Sequence, residues 1–276
     1  PSLAVYLPNH GRYGQKRQVI AVPRGNRYAW LINVARENFG GDIVLDAPDL
    51  PAGVTMHARP IPASQNSFAV MFEADAGAAL DGKLIELVGR HATDENIHGG
   101  YFHSVALVRG PPNETEYYAT TANLAAVAVV EQVPFELELV QPKVPLVQSG
   151  SMQLRVVAKR AEGFDAPITV RMLWTPPGVG ATTTVTIAKG QTEVAYPINA
   201  NGNAQVGTWP LIVLGESDAG DGEILASSQY VDLEVAPPYV NLTSDMAAIE
   251  RGKEGHLVCR VEHNKPFEGE AQVTLH

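Results

Sequence analysis

The sequence has little of what catalytic, nucleic-acid-binding or membrane-spanning proteins commonly need. It has one cysteine, Cys259, which excludes an internal disulfide framework and a cysteine-based zinc finger. Its longest apolar run, residues 124–130, is far shorter than a membrane span. With 20 Lys and Arg against 30 Asp and Glu, the net charge is −10, which argues against binding to a nucleic acid or an anionic membrane.

Catalytic motifs are also missing from the sequence. It contains no Gly-x-Ser-x-Gly nucleophile elbow, no His-Glu-x-x-His metalloprotease signature and no phosphate loop of the Walker type. We therefore expect a protein that is not an enzyme and that binds no resident cofactor, with calcium as the one alternative considered below.

Turn residues and alternating patterns make up much of the chain. Gly and Pro number 25 and 20 among 276 residues, and charged residues make up only 18%. Apolar and polar residues alternate along short segments such as 184–188 and 230–235, and no apolar stripe of helical period extends over several turns. This pattern predicts an all-β fold of tandem Ig-like antiparallel β-sandwiches.

A pattern of a glycine, an alternating strand, a phenylalanine and a second strand occurs three times. The glycines are Gly25, Gly150 and Gly252, and the phenylalanines are Phe39, Phe164 and Phe267. The first two copies are offset by 125 residues at both positions, and the third follows the second by 102 and 103 residues. In the first two copies a tight turn comes next, Leu50-Pro-Ala-Gly-Val54 and Thr175-Pro-Pro-Gly-Val179.

The repeat predicts two complete modules flanked by parts of two others. Residues 1–18 are expected to be the closing strand of a preceding module and its linker, since they resemble the strands that close the later copies. Residues 19–134 and 135–236 form the two modules, and an insertion near 91–120 makes the first one longer. Residues 237–276 are expected to be the first strands of a third, truncated module.

Three of these elements carry a resemblance to a known type of module. They are the Phe-x-Gly element at Phe39, the Leu50-Pro-x-Gly-Val54 turn and the Val133-Pro-Phe135 junction. Together they resemble the tandem bacterial Ig-like (fibronectin/Ig-type) β-sandwich modules of large secreted or cell-surface multidomain proteins. The resemblance implies an extracytoplasmic setting and a role as a spacer, an adhesive unit or a carrier for a catalytic domain elsewhere.

Alternation within the repeats also predicts which side chains form the cores. We expect the following to be core residues: Leu31, Val34, Phe39, Ile43, Val156, Phe164, Ile168 and Val231. Cys259 alternates with Leu257 and Val261, which predicts that it points inward as a small core residue.

Two groups of residues are candidates for metal binding. The region of the predicted insertion contains His91, His98 and His103, whose imidazoles are suitable zinc ligands. Their spacing matches no metalloprotease signature, and the sequence favours an inserted hairpin without metal. The loop at 217–223 presents Asp218, Asp221 and Glu223. Close carboxylates on a glycine-rich loop suit calcium, and a solvated acidic hairpin is the alternative.

The sequence thus predicts a structural or interaction segment, a semi-rigid spacer or an array of adhesive modules, in a secreted, periplasmic or cell-surface protein. Protein–protein or inter-module contacts are the expected partners, and neither nucleic acid nor membrane insertion is expected. The alternative is a module that binds polysaccharide or calcium for a catalytic domain elsewhere. The exposed pair Tyr117-Tyr118 is the best candidate for stacking on a sugar ring.

Overall fold

The computed structural model describes residues 1–7, 19–112, 115–218, 220, 222–245, 251–252, 254 and 258–266. Its regular secondary structure there consists of β-strands. In this part of the chain no helix has the length and apolar character needed to cross a bilayer.

Two sheets form the first module, and its longest strand, His98–Gly110, lies within the larger one. Its strands are β1 Ser2–Tyr6, β2 Ile20–Pro23, β3 Arg27–Glu37, β4 Ile43–Asp46, β5 Val54–His57, β6 Ser67–Ala74, β7 Asp81–Ile85, β8 Val88–His91, β9 His98–Gly110, β10 Thr115–Ala122 and β11 Ala125–Val130. The larger sheet has the order β4-β8-β9-β1-β3-β6-β5, with β10 paired to β9, and the smaller has the order β2-β11-β7.

The second module is a sandwich with a corresponding strand order. Its strands are β12 Phe135–Leu139, β13 Leu146–Val147, β14 Ser151–Arg160, β15 Ile168–Met172, β16 Val179–Ala181, β17 Val185–Ile187, β18 Glu193–Ala200, β19 Gly207–Leu211, β20 Val213–Asp218, β21 Glu223–Ser227 and β22 Val231–Ala236. One sheet is β12-β14-β18-β16, and the other is built from β17-β15-β20-β21 and β13-β22-β19. Together with the antiparallel pairing, this order establishes an Ig-like sandwich. The second module differs from the first in its added strand β17 and in the pair of β1 with β9 that the first has.

Alternation of side chains explains why these segments are strands. In β12, Phe135, Leu137 and Leu139 point into the core, while Glu136 and Glu138 between them are exposed. The two modules have separate main cores, centred on residues such as Trp30 and Phe72 in the first and on their counterparts in the second. Each module thus buries one face of each sheet, as a sandwich must.

The predicted Pro-Gly turns are present in both modules. Gly53 and Gly178 have φ values of 76° and 78°, a conformation that glycine adopts without steric penalty. Each turn is closed by a hydrogen bond, from the N–H of Val54 to the carbonyl of Pro51 at 3.0 Å in the first module, and at 2.9 Å between the equivalent residues of the second. A Cβ atom on Gly178 would come within 2.6 Å of the Cα of Ala204, so close packing also requires glycine there.

The expectation that residues 1–18 begin with the closing strand of a preceding module is wrong. β1 pairs antiparallel with β3, as β12 pairs with β14 in the second module. Leu3, Val5 and Leu7 contribute to the core of the first module. β1 is therefore the first strand of that module, and alternation alone could not distinguish an opening strand from a closing one. Residues 8–18 lie outside the described part.

Most of the predicted core residues are buried, but three are not fully so. Val34, Ile43, Val156, Ile168 and Val231 have at most 4% of their surface exposed. Leu31, Phe39 and Phe164 are only half-buried. The two phenylalanines follow the end of a strand and pack against the rim of each core, and Leu31 points away from the core that its neighbours Trp30 and Ile32 fill.

The prediction for Cys259 is also wrong, because its side chain is exposed. It lies in β24 Cys259–His263, which pairs antiparallel with β23 Val240–Ser244. This pair repeats the pairing of β1 with β3 and of β12 with β14. In the described part of residues 237–276 no second sheet covers the pair, so Cys259 has no core to enter.

Phe135 and Phe164 are buried to different extents in the second core, so their replacement should lower the free energy of unfolding by different amounts. The two rings stack at a centroid distance of 5.9 Å, but Phe135 is 1% exposed and Phe164 is half-buried under the Arg160 guanidinium. We expect Phe135→Ala to lower the free energy of unfolding by about 3–5 kcal/mol and Phe164→Ala by about 1–3 kcal/mol, because less apolar surface is lost. Urea unfolding of the two variants measures both values, and equal losses would contradict the burial described.

Candidate functional site

The structure does not bring the three histidines together. The N–H groups of Thr93 and Asp94 donate to Nδ1 of His91 at 3.2 and 3.0 Å, and its Nε2 lies 2.9 Å from the carbonyl oxygen of Gly40. These partners assign the neutral tautomer with the proton on Nε2, and both ring nitrogens are used. His91 therefore anchors the turn after β8 to the loop before β4.

The other two histidines lie further along β9 on opposite faces. His98 is exposed and pairs with Arg90. His103 is half-buried, its ring 5.5 Å from that of Tyr101, and burial lowers its pKa. Among the described residues no group of three or more His, Cys, Asp and Glu side chains is placed to hold a metal ion. Metal binding by these histidines stays a prediction.

The acidic loop lies at the tip of the β20–β21 hairpin, where Asp218 pairs with Glu223. One oxygen of Asp218 accepts a hydrogen bond from the N–H of Gly220 at 2.8 Å. An open cavity of about 410 Å³ adjoins the two residues, and Glu216 also lines it. Asp221 lies outside the described residues, and calcium binding at this loop stays a prediction.

The tryptophans do not form a stacking platform for sugars. Trp30 is fully buried, and Trp209 is 6% exposed with its indole N–H bonded to the carbonyl of Gln205. Trp174 lies between Phe68 of the first module and Trp209 of the second, with ring centroids 5.0 and 6.0 Å away. Tyr117 and Tyr118 are exposed, as predicted, on β10. Trp174 instead marks the place where the two modules meet.

The contact between the two modules, called the joint here, is formed by Ile212 and Tyr230 of the second module. Both residues lie at interruptions between consecutive strands. β19 continues into β20 after Ile212, and β21 continues into β22 after residues 228–230. The breaks face each other, since the N–H of Ser228 donates to the carbonyl of Val213 at 2.9 Å. They change the direction of the side chains, so that Ile212 and Tyr230 point to the first module.

Small side chains on the outer face of the first module receive these residues. Ala29 of β3 and Ala69 and Met71 of β6 form a buried cluster with Ile212, against which Leu173 and Tyr230 pack. Leu214 and Leu225 of the β20–β21 hairpin join the core cluster of the first module. β6 is consequently buried on both faces over residues 68–72, as is usual for strands covered by a layer on each side.

Tyr230 makes the central polar contact of the joint. Its hydroxyl donates to the carbonyl oxygen of Ala69 at 2.7 Å, with the carbonyl oxygen of His57 3.3 Å away. β5 ends at His57, opposite Met71, so Ala69 lies beyond the last β5–β6 pair and Tyr230 supplies a donor for its carbonyl. Burial raises the pKa of Tyr230, which keeps the hydroxyl protonated and able to donate.

Further polar contacts surround this apolar centre. The amide of Asn26, which is 4% exposed, donates to the carbonyl of Phe135 at 2.8 Å and ties the first module to the start of β12. Arg59 of the first module lies 3.7 Å from Asp232 of the second. Because Asn26 is buried and its partner is main chain, this bond fixes position more strongly than the exposed ion pair does.

Sequence reasoning missed the joint, although a signal for it exists. Residues 68–72, Phe-Ala-Val-Met-Phe, are apolar without interruption, and so are residues 211–214, Leu-Ile-Val-Leu. A continuous apolar run in a strand indicates burial on both faces, whereas a sandwich with one solvated face needs alternation. These two runs are segments that meet in the joint, whereas the longer run at 124–130 contains β11, whose burial alternates.

No protein-family model matches the sequence, and no curated protein is significantly similar to it. Solved structures with a similar chain path include the fibronectin(III)-like modules of CbhA from Clostridium thermocellum, at 11% identity and a TM-score of 0.25 over 84% of this chain and 94% of that one. The D00–D0 domain of intimin is 9% identical, with a TM-score of 0.28 over 84% and 98% of the two chains. Domains 4–9 of the surface layer protein SbsC are 16% identical, with a TM-score of 0.29 over 88% of this chain and 33% of that one. Scores this low carry no inference about function, and the strand pairing itself establishes the Ig-like fold.

Proposed function

We propose that the chain is a non-catalytic structural unit that holds two Ig-like modules in a fixed relative orientation, as a spacer within an extracytoplasmic protein. The observation that carries the proposal is the joint, in which Ile212 and Tyr230 are packed on Ala29, Ala69 and Met71. An independent pair of modules connected by a chain would keep these faces polar, since both would be solvated.

The chemistry of the joint supports rigidity more than switching. Its centre is apolar, and its central hydrogen bond joins a tyrosine hydroxyl to a main-chain carbonyl. Neither group changes its charge near neutral pH, because burial raises the pKa of Tyr230 further above its ordinary value. The orientation of the modules should therefore be the same across the physiological pH range.

The extracytoplasmic setting is part of the proposal and is supported by composition. The chain is acidic, has few charges for its size and is rich in turn residues. Its Pro-containing junctions fit a stiff array, and in the structure face-to-face packing adds to what a linker provides.

A distance measurement between the modules tests whether the unit is rigid. In a Cys259→Ser background, spin labels at Ser64→Cys and Thr184→Cys report one distance from exposed sites on the two modules. We expect a narrow distribution by pulsed electron paramagnetic resonance. Ala69→Arg should broaden it, because a charged side chain does not fit at a position that is 4% exposed in the joint.

The matched control for this measurement is Ala79→Arg, the same change at an exposed loop position of the same module. It should leave the distribution narrow, and circular dichroism should show that both variants keep their β-sheet content. A broad distribution in the parent chain, or an unchanged one in Ala69→Arg, would contradict the proposal.

We expect the hydroxyl of Tyr230 to contribute measurably to the free energy of unfolding. Tyr230→Phe leaves the carbonyl of Ala69 without this donor, so we expect a loss of about 1–3 kcal/mol in the free energy of unfolding. Tyr118→Phe removes a hydroxyl from a side chain that is 63% exposed and should change stability little. Urea titration of both variants compares them, and equal effects would argue against the hydrogen bond.

Alkaline pH provides a second measurement on the same residue. The folded-state pKa of Tyr230 is raised by burial, so its contribution to stability is fully present below the unfolded value of about 10 and is lost as pH rises towards the folded value. Stability should fall by up to about 1.4 kcal/mol per pH unit for this group above pH 10. Tyr230→Phe should make the decline shallower, while buried Tyr101 and Tyr196 keep part of it. An identical slope in the variant would place Tyr230 outside a buried site.

A further inference from the structure

The outer part of β9 and the whole of β10 form a two-stranded ribbon, defined here as residues 103–110 and 115–122. The strands pair antiparallel from Ala122 opposite His103 to Thr115 opposite Gly110. Only the base of β9 belongs to the sandwich, where Val5 and Tyr6 pair with Tyr101 and Phe102. Within the described part of the chain, β9 is the only strand that pairs with β10.

In the first module the ribbon occupies the position that is equivalent, in the second module, to the segment that contacts the first. The N–H of Tyr101 donates to the carbonyl of Leu87, as the N–H of Ser228 donates to that of Val213. The pairing of Ala125 with Ile85 then matches that of Val231 with Leu211. Residues 102–124 therefore occupy the place of Gln229 and Tyr230, which shifts the insertion from the predicted 91–120 to a position of inter-module contact.

The ribbon exposes large apolar side chains on both of its strands. Leu107 and Val108 are adjacent on β9, with 56% and 51% of their surface exposed, and Leu107 lies at an irregularity of the pairing with β10. Tyr117 and Tyr118 of β10 are 59% and 63% exposed. A two-stranded ribbon alone is marginally stable in water, so one that carries this much exposed apolar surface gains from a further layer or strand.

The free edge of β10 differs from the other sheet edges described. The remaining edge strands are two to five residues long, and β10 has eight. Several of the short ones carry features that discourage pairing, such as Glu136 and Glu138 in β12 or Pro210 in β19. In β10 residues 117–122, Tyr-Tyr-Ala-Thr-Thr-Ala, have neither charge nor proline. Its one charged residue, Glu116, is paired with Arg109 inside the ribbon. The bulge of β10 lies at Tyr117, so residues 118–122 form the regular part of this edge.

The ribbon could in principle pack on the outer sheet face of another module, as Tyr230 packs on the first module. In its described residues the second module offers no apolar face of that kind. The face that receives Tyr230 in the first module is made of alanine and methionine. The outward residues of β14 and β18 include Gln153, Arg155 and Glu193, and the guanidinium Nε of Arg155 lies 2.8 Å from the Glu193 carboxylate. This polar face is built for water, which leaves the edge of β10 as the surface that a second chain can extend.

We propose that two copies of this chain associate through β10, edge to edge and antiparallel, about a two-fold axis at Thr120. Such an axis places Thr120 opposite its own copy, Ala119 opposite Thr121 and Tyr118 opposite Ala122. All of these residues are uncharged, and Thr opposite Thr is a favourable cross-strand pair. Each copy has a net charge of −10, and this edge is a place where two copies meet without placing like charges together. The product is a four-stranded sheet, β9-β10-β10-β9, that connects two rigid units.

Sedimentation equilibrium of the Cys259→Ser chain tests the proposal, the substitution removing the exposed thiol that could crosslink copies. The mean mass should rise from 29.6 kDa towards twice that value between about 10 and 500 µM. Added salt should leave the association unchanged or strengthen it, because it screens the repulsion between two acidic chains. Amide hydrogen exchange should slow at residues 117–122 as the concentration rises.

Thr120→Lys supplies the disrupting variant, because the two-fold axis would bring two lysines together in the middle of the shared edge. We expect it to weaken the association at least tenfold, whereas the matched control Thr183→Lys, at an exposed position of the second module, should not. A chain that stays monomeric throughout overturns the proposal and leaves the edge to a different protein. Association that is weakened by salt, or that persists in Thr120→Lys without protection at 117–122, overturns it in favour of another surface.

Discussion

The two modules can pack face to face, with the Tyr230 hydroxyl bonded to the carbonyl of Ala69, only because side chains of the second module point away from its own core. A β-sandwich normally leaves the outer face of each sheet to water, and here one outer face of each module is covered by the other. For this to happen the strand paths of the second module must break at Ile212 and at residues 228–230, so that side chains point away from their own core. The break exposes main-chain groups, and Ser228 satisfies part of them with its own side chain and N–H.

The same break holds different structures in the two modules of the repeat. In the second module it holds two residues that reach the neighbouring module, and in the first it holds the whole ribbon of β9 and β10. A break in a strand pair is a tolerant place for an insertion, because the ladders on either side close again around it, as the matching pairs Ile85–Ala125 and Leu211–Val231 show. Contact and insertion are therefore alternative uses of one feature of the fold, while the paired strands around it remain constant.

The β-sandwich architecture also explains why the predicted site residues do not come together. His91, expected as a metal ligand, uses both ring nitrogens to hold a turn, and His98 and His103 lie on different faces of β9. Residues close together in a sequence of strands point alternately to opposite sides, so proximity along the chain says little about proximity in space. The contacts that hold the modules together come instead from residues far apart in the chain, such as Ala69 and Tyr230, which are 161 positions apart.

The sequence by itself determined the local structure: the alternating strands, the Pro-Gly turns at Gly53 and Gly178, the repeat and some residues of each core. Each of these depends on neighbours a few residues away, whose period and backbone preferences are written in the chain. Only the tertiary structure decided that β1 opens the first module, that Cys259 is exposed and that the modules share a buried face. The physical reason is that main-chain hydrogen bonding is the same for every strand, and alternation shows that a face is apolar without showing which surface covers it.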